Sequence, residues 1–128
     1  MSGSMDSYNA PFVTLFDLAV FNSAPIETRV ERVNARELAR FGERILPGGD
    51  MFETHKKFLT CVRSYDTDGL MLCRRVHEQW AATLPCPVLY IDGTVAISEN
   101  AERIVEQYSS MLPSNLAEIL DEYSCPET

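Results

Sequence analysis

Two prolines separated by a single residue, in Leu84-Pro85-Cys86-Pro87, stand directly before the apolar run Val88–Ile91 and the pair Asp92-Gly93. A residue that precedes proline is pushed out of helical geometry, so Leu84 and Cys86 must be extended or in a turn and no helix can run through them. The helical stripe of Leu70, Cys73, Val76, His77, Trp80 and Leu84 must therefore end near Thr83, and a new element begins at Val88.

That new element reads as a short strand. Asp92-Gly93 is a tight-turn signal, which makes Thr94–Ser98 the returning strand of a hairpin. Asn100 then caps a helix whose apolar stripe is Ala101, Ile104, Val105, Tyr108, Met111 and Leu112. Pro113 interrupts it before a final short helix over Ser114–Tyr123.

Upstream, Phe12–Phe21 is almost wholly apolar and predicts a strand buried on both faces, although Asp17 inside it requires a partner or an edge position. Thr28–Val33 predicts a shorter strand nearer an edge. Asn34 with Glu37, and Asp50 with Glu53, each place a capping residue three positions before a glutamate, the signature of a helix start. The first of these helices stops at Pro47-Gly48-Gly49. The second runs from Met51 to Tyr65 and ends in Asp66-Thr67-Asp68-Gly69, a helix-ending turn that lacks the later glutamate of a calcium loop.

The chain has 128 residues, enough for one domain with its own core. Residues 1–5 read as an expression remnant and 6–128 as a single domain with a short C-terminal helix and tail. Nineteen acidic against eleven basic residues give a net charge of -8, a field that repels nucleic acid and anionic membranes. Lys56, Lys57, Arg63, Arg74 and Arg75 read as a solvated helix face rather than a binding patch. No segment is apolar enough to span a bilayer. With Met5 as the natural start the expected location is the cytoplasm; had an export signal been removed ahead of it, the periplasm.

The closing portion, CPVLYIDGTVAISENAERIVEQY, resembles the C-terminal half of the thioredoxin-like fold. In that superfamily a cis proline precedes the third strand, a hairpin follows, and a helix packs back on the sheet. The resemblance implies a small mixed sheet of about four strands flanked by helices, with Pro87 as the cis proline and Cys86 beside the surface where thiols or peptides dock. The redox members carry a Cys-x-x-Cys pair after the first strand, where this chain has Phe21-Asn22-Ser23-Ala24-Pro25. The layout is also similar to a small thioredoxin-like family of integrating conjugative elements, which lacks that pair as well.

Four cysteines, Cys61, Cys73, Cys86 and Cys125, show no metal or redox spacing. A disulfide between Cys61 and Cys73 would need the two helices around Asp66–Gly69 to fold back on each other; Cys73 otherwise reads as a small buried hydrophobe. Cys73 and His77 lie one helical turn apart, but no further ligands accompany them, so no metal or cofactor is expected. The expected function is a non-catalytic thioredoxin-like binding or assembly module with a protein partner, docking at Cys86, Pro87, Asn22 and Ser23. Pairing with a second copy would use the end from Tyr108 to Tyr123. The alternative is a thiol-based redox protein or sensor using Cys86 with Cys61 or Cys73.

Overall fold

Ala19–Ser23 (β1) and Val88–Asp92 (β2) pair in parallel, Ala19 opposite Val88 and Ser23 opposite Asp92, although they lie far apart in the chain. The computed structural model describes residues 10–68 and 73–116. Between the strands run three helices, Ile26–Phe41 (α1), Phe52–Arg63 (α2) and Arg74–Ala82 (α3). After β2 comes Ile97–Met111 (α4), and single 3-10 turns occupy Ala10–Leu15, Gly42–Ile45 and Ser64–Asp66. Two parallel strands cannot be joined by a tight turn, so the helical middle serves as the crossover between them.

The chain divides into two compact units, residues 1–94 and 95–128. The first holds both strands and α1 to α3. Its buried apolar residues, among those described, are Ile45, Leu59, Cys73 and Ala81, which places the core among the three helices. Asn34 on α1 meets His55 Nε2 on α2 at 2.8 Å, a polar contact between the two helices that leaves His55 Nδ1 buried without a partner. Gly42 ends α1 at φ 59°, where its N–H reaches the Leu38 carbonyl; that left-handed backbone is the reason for glycine. The second unit contains α4, which starts at Ile97 and ends at Met111, with Leu112 as its C-cap before Pro113.

Several expectations are corrected. The sheet has two parallel strands among the described residues, not about four mixed ones, and the thioredoxin-like assignment falls with it. No peptide bond among those residues is cis, Pro87 included. Asp92-Gly93 opens no hairpin. The Asp92 carboxylate accepts from the Thr94 amide at 2.8 Å and the Thr94 hydroxyl at 2.6 Å, closing a turn that leads into α4 rather than back along β2. Thr28–Val33 is part of α1 because Ile26, Val30 and Val33 recur at helical spacing, and Asn34 lies inside that helix rather than at its start. Only Ala19–Phe21 of the expected first strand is extended, and Asp17 sits exposed in the bend before it. Asn100 likewise lies within its helix, not at the cap. By contrast α2, the end of α3 at Thr83 and the strand after Pro87 fall where the sequence places them. Residues 1–5, most of Ser114–Tyr123, and Cys125 lie outside the described residues.

Candidate functional site

Open α/β sheets bind ligands outside the carboxyl ends of their parallel strands, because loops and helix starts converge there. Here β1 ends at Asn22 and Ser23, which line a cleft of about 650 Å³. Its walls come from α1 (Arg29, Arg32, Arg36), from α2 and the turn after it (Phe58, Cys61, Tyr65), and from α3 (Arg74, His77, Trp80). A second hollow of about 520 Å³ lies along α1 at Ile26, Glu27, Val30, Glu31, Asn34 and Arg63; its two carboxylates and lack of convergent donors make it the poorer site.

The cationic wall follows from helix geometry. Arg29, Arg32 and Arg36 stand three, then four, residues apart and so share one face of α1. Arg32 donates to the Gly93 carbonyl at 2.8 Å, tying α1 to the turn after β2. Arg29 is held from three sides, donating to the Ala24 carbonyl at 2.6 Å, to the Val62 carbonyl at 3.4 Å and to Asp66 at 2.7 Å. Arg74 reaches the other oxygen of the same Asp66. Both guanidinium groups lie over the Tyr65 ring, at 5.1 and 5.5 Å from its centroid. One carboxylate thus fixes two arginines against one aromatic ring. Hydrogen bonding from Arg29, with help from Arg74, holds the Asp66 carboxyl below the usual range, so it stays ionised and acceptor-only.

Tyr65 and His77 form the floor. The Tyr65 hydroxyl lies 2.7 Å from His77 Nδ1. Partial burial raises the phenol above its ordinary value, so Tyr65 keeps its proton, and we assign it as the donor to Nδ1. The imidazole proton then sits on Nε2 as a second donor. His77 Nε2 and Arg29 Nε are both buried with no hydrogen-bond partner in the protein. His55 Nδ1, on a residue outside the cleft, is buried in the same way; what sets Arg29 and His77 apart is that both residues line the cleft.

Gly93 packs closely on the end of β1. A Cβ there would stand 2.8 Å from the movable Asn22 Oδ1 and 3.2 Å from the Ser23 carbonyl, so a larger residue would displace the Asn22 side chain and press on the Ser23 backbone. The Gly93 N–H donates to the Ser23 carbonyl at 2.7 Å.

The residues singled out from sequence are divided by this geometry. Asn22 and Ser23 line the cleft. Cys86 and Pro87 precede β2 and stand at the opposite, amino end of the sheet, where the Pro87 carbonyl accepts from the Ala19 N–H at 3.0 Å. Cys61 is an exposed thiol on the cleft wall, Cys73 a buried one at the start of α3, and Cys86 half-buried; all three are free. His77 turns its Nδ1 to Tyr65, and among the described residues no three His, Cys, Asp or Glu side chains gather as a metal site. Sequence reading passed over Arg29, Arg32, Arg36, Tyr65 and Trp80. The signal for the three arginines is their helical spacing, which a strand over Thr28–Val33 conceals.

No family model matches the chain, and no solved structure matches it. It is 36% identical over 111 residues to a Bacillus subtilis (strain 168) protein, "Uncharacterized protein YqaC"; the match covers 86% of this chain and 62% of that protein. The chain thus spans about three fifths of the length of the curated relative it matches. No helix among the described residues is long and apolar enough to cross a membrane.

Proposed function

We propose that the chain is a small-molecule binding domain whose cleft captures a phosphate-bearing ligand with a planar ring, the chemistry of a nucleotide. The observation that carries this reading is the pair of buried, partnerless donors, Arg29 Nε and His77 Nε2, in a wall that also holds Arg32, Arg36 and Arg74. Guanidinium groups match phosphate oxygens with paired donors, and their fixed positions here reduce the ordering cost of binding. Phe58 and Trp80 supply apolar ring faces beside that cationic wall, and the cleft volume suits a small molecule. The net charge of -8 is no obstacle, since local charge rather than the total governs a partly enclosed site. This reading differs from the protein-docking module expected from sequence: it uses Asn22 and Ser23 but not Cys86 and Pro87.

The test is calorimetric titration at low salt with a nucleoside monophosphate, the matching nucleoside and inorganic phosphate. The nucleotide is expected to bind most tightly, weakening as salt rises, and Arg36→Ala is expected to weaken it several-fold without changing the fold. Equal binding of nucleoside and nucleotide, or no binding of any phosphate compound at millimolar concentration, would overturn the proposal.

A further inference from the structure

The cleft has two unlike ends. At one, the Arg29 and Arg74 guanidinium groups lie over the Tyr65 ring, and the Tyr65 hydroxyl bonds His77. The two buried donors without partners, Arg29 Nε and His77 Nε2, belong to that end. The helices then lead away from it. α1 and α2 run antiparallel, since Arg29 reaches the Val62 carbonyl while Asn34, further along α1, meets His55, further back on α2. Phe58 therefore stands about 6 Å back from Val62, and Val33 about 6 Å on from Arg29. On α3, Trp80 lies about 9 Å past Arg74. Val33, Phe58 and Trp80 thus form an apolar end one to two helical turns from the donors. Arg36 stands two turns past Arg29, at that same end, where a guanidinium stacks on a ring rather than grips phosphate.

The donor end is stoppered by a carboxylate. Past Val62 the chain enters the turn Ser64–Asp66, which sets Tyr65 beneath the guanidinium groups and Asp66 just beyond, bridging Arg29 and Arg74. Asp66 lies outside the cleft lining, so it holds the two arginines from behind. The donors left facing the cleft suit one phosphate group. In a nucleotide the phosphate chain grows away from the base, and here each further phosphate would advance on the Asp66 carboxylate. Resting on the reading of the cleft as a nucleotide site, we propose that its ligand is a nucleoside monophosphate, with the base at Phe58 and Trp80 and the phosphate at Arg29, Arg74 and His77, and that Asp66 selects against longer phosphate chains. The pentose between base and phosphate bridges the two ends. A ring that carries its phosphate directly would reach only one of them at a time.

The test is calorimetric titration of the intact chain, free of divalent cations, with the mono-, di- and triphosphates of adenosine, guanosine, cytidine and uridine. For the base that binds best, the monophosphate is expected to bind at least about tenfold tighter than the triphosphate, the effect of one like-charge contact near a protein surface. Asp66→Asn should reduce that ratio to within about threefold by removing the charge, even where loosened arginines weaken both ligands. Asp66→Glu keeps the charge and should keep the preference. Phe58 is 44% exposed, so Phe58→Ala should fold; it should weaken the monophosphate several-fold and leave inorganic phosphate binding unchanged. A triphosphate that binds as tightly as its monophosphate overturns this inference and leaves the proposed function standing. So does a preference that survives Asp66→Asn, or a Phe58→Ala effect equal on inorganic phosphate. Absence of binding by every phosphate compound overturns both.

Discussion

The Tyr65 hydroxyl lies 2.7 Å from His77 Nδ1 and so decides which imidazole nitrogen carries the proton. Tyr65→Phe removes that partner and leaves Nδ1 part-buried and unsatisfied, a loss of about 1–3 kcal/mol in unfolding free energy. It also frees the tautomer. Denaturant melts should show the destabilisation, and phosphate-ligand affinity should fall several-fold at a concentration where the variant remains folded.

Asp66 joins Arg29 to Arg74, and its folded-state carboxyl titrates below its unfolded value because Arg29 and Arg74 donate to it. As pH falls, the unfolded chain takes up this proton first, near pH ~4. The stabilisation is therefore complete above that value and is lost as pH drops through the lower, folded one. Asp50 and Asp92 shift in the same direction, so Asp66→Asn should flatten only part of the acid limb of a melting-temperature profile. At neutral pH the same substitution should cost roughly 0.2–1 kcal/mol, the range for partly exposed pairs.

Gly93→Ala places a methyl group 2.8 Å from Asn22 Oδ1 and 3.2 Å from the Ser23 carbonyl. The Asn22 side chain can swing aside, but the Ser23 carbonyl must give by a few tenths of an ångström, at about 1 kcal/mol, the low end of overpacking costs. Because Arg32 is anchored on the Gly93 carbonyl, the shift should reach the cleft as well. Ligand affinity should drop by more than the same substitution causes at the distant Gly48, where φ is 90° but nothing lies within 4 Å of the added carbon.

Trp80 is the single tryptophan and lines the cleft, so its fluorescence reports occupancy directly. Titration with a nucleotide should quench or shift the emission along a saturable curve, while Arg36→Ala moves the midpoint to higher concentration without altering the starting spectrum. An emission change that ignores the arginine would place the ligand elsewhere.

Local signals in the sequence hold best where prolines act: Leu84 to Pro87 ends α3 and starts β2, because the restriction is one of backbone geometry within a few residues. The helix expected after Asp50 is present, but Asp50 does not cap it: Met51 is the N-cap with no side-chain bond, and the Asp50 carboxylate accepts from Arg44 instead. Two kinds of information were out of reach. The β-branched content around Val30 and Val33 suggests a strand, yet Ile26, Val30 and Val33 recur at helical spacing and share a half-buried face of α1, a pattern that outweighs so small a propensity. Asp92-Gly93 carries the letters of a hairpin turn, but β2 finds its partner in β1, upstream of three helices, and nothing near Gly93 records that. Read as a strand, Thr28–Val33 conceals the cationic wall of the site, since only a helix aligns Arg29, Arg32 and Arg36. Asn22 and Ser23 were named for a docking surface beside Cys86 and Pro87, and the parallel register sets those two pairs at opposite ends of the sheet.

The register of β1 with β2 also orders events in time. Ala19 must meet Val88 across the whole helical crossover, so closing that long loop is entropically costly and gains little until the intervening helices have shortened the distance. A ribosome releases α1, α2 and α3 before it releases β2, and β1 waits unpaired throughout. Stopped-flow refolding should accordingly show helix signal recovered ahead of amide protection at Phe21, with the arginine wall assembled before the strand ends that complete it.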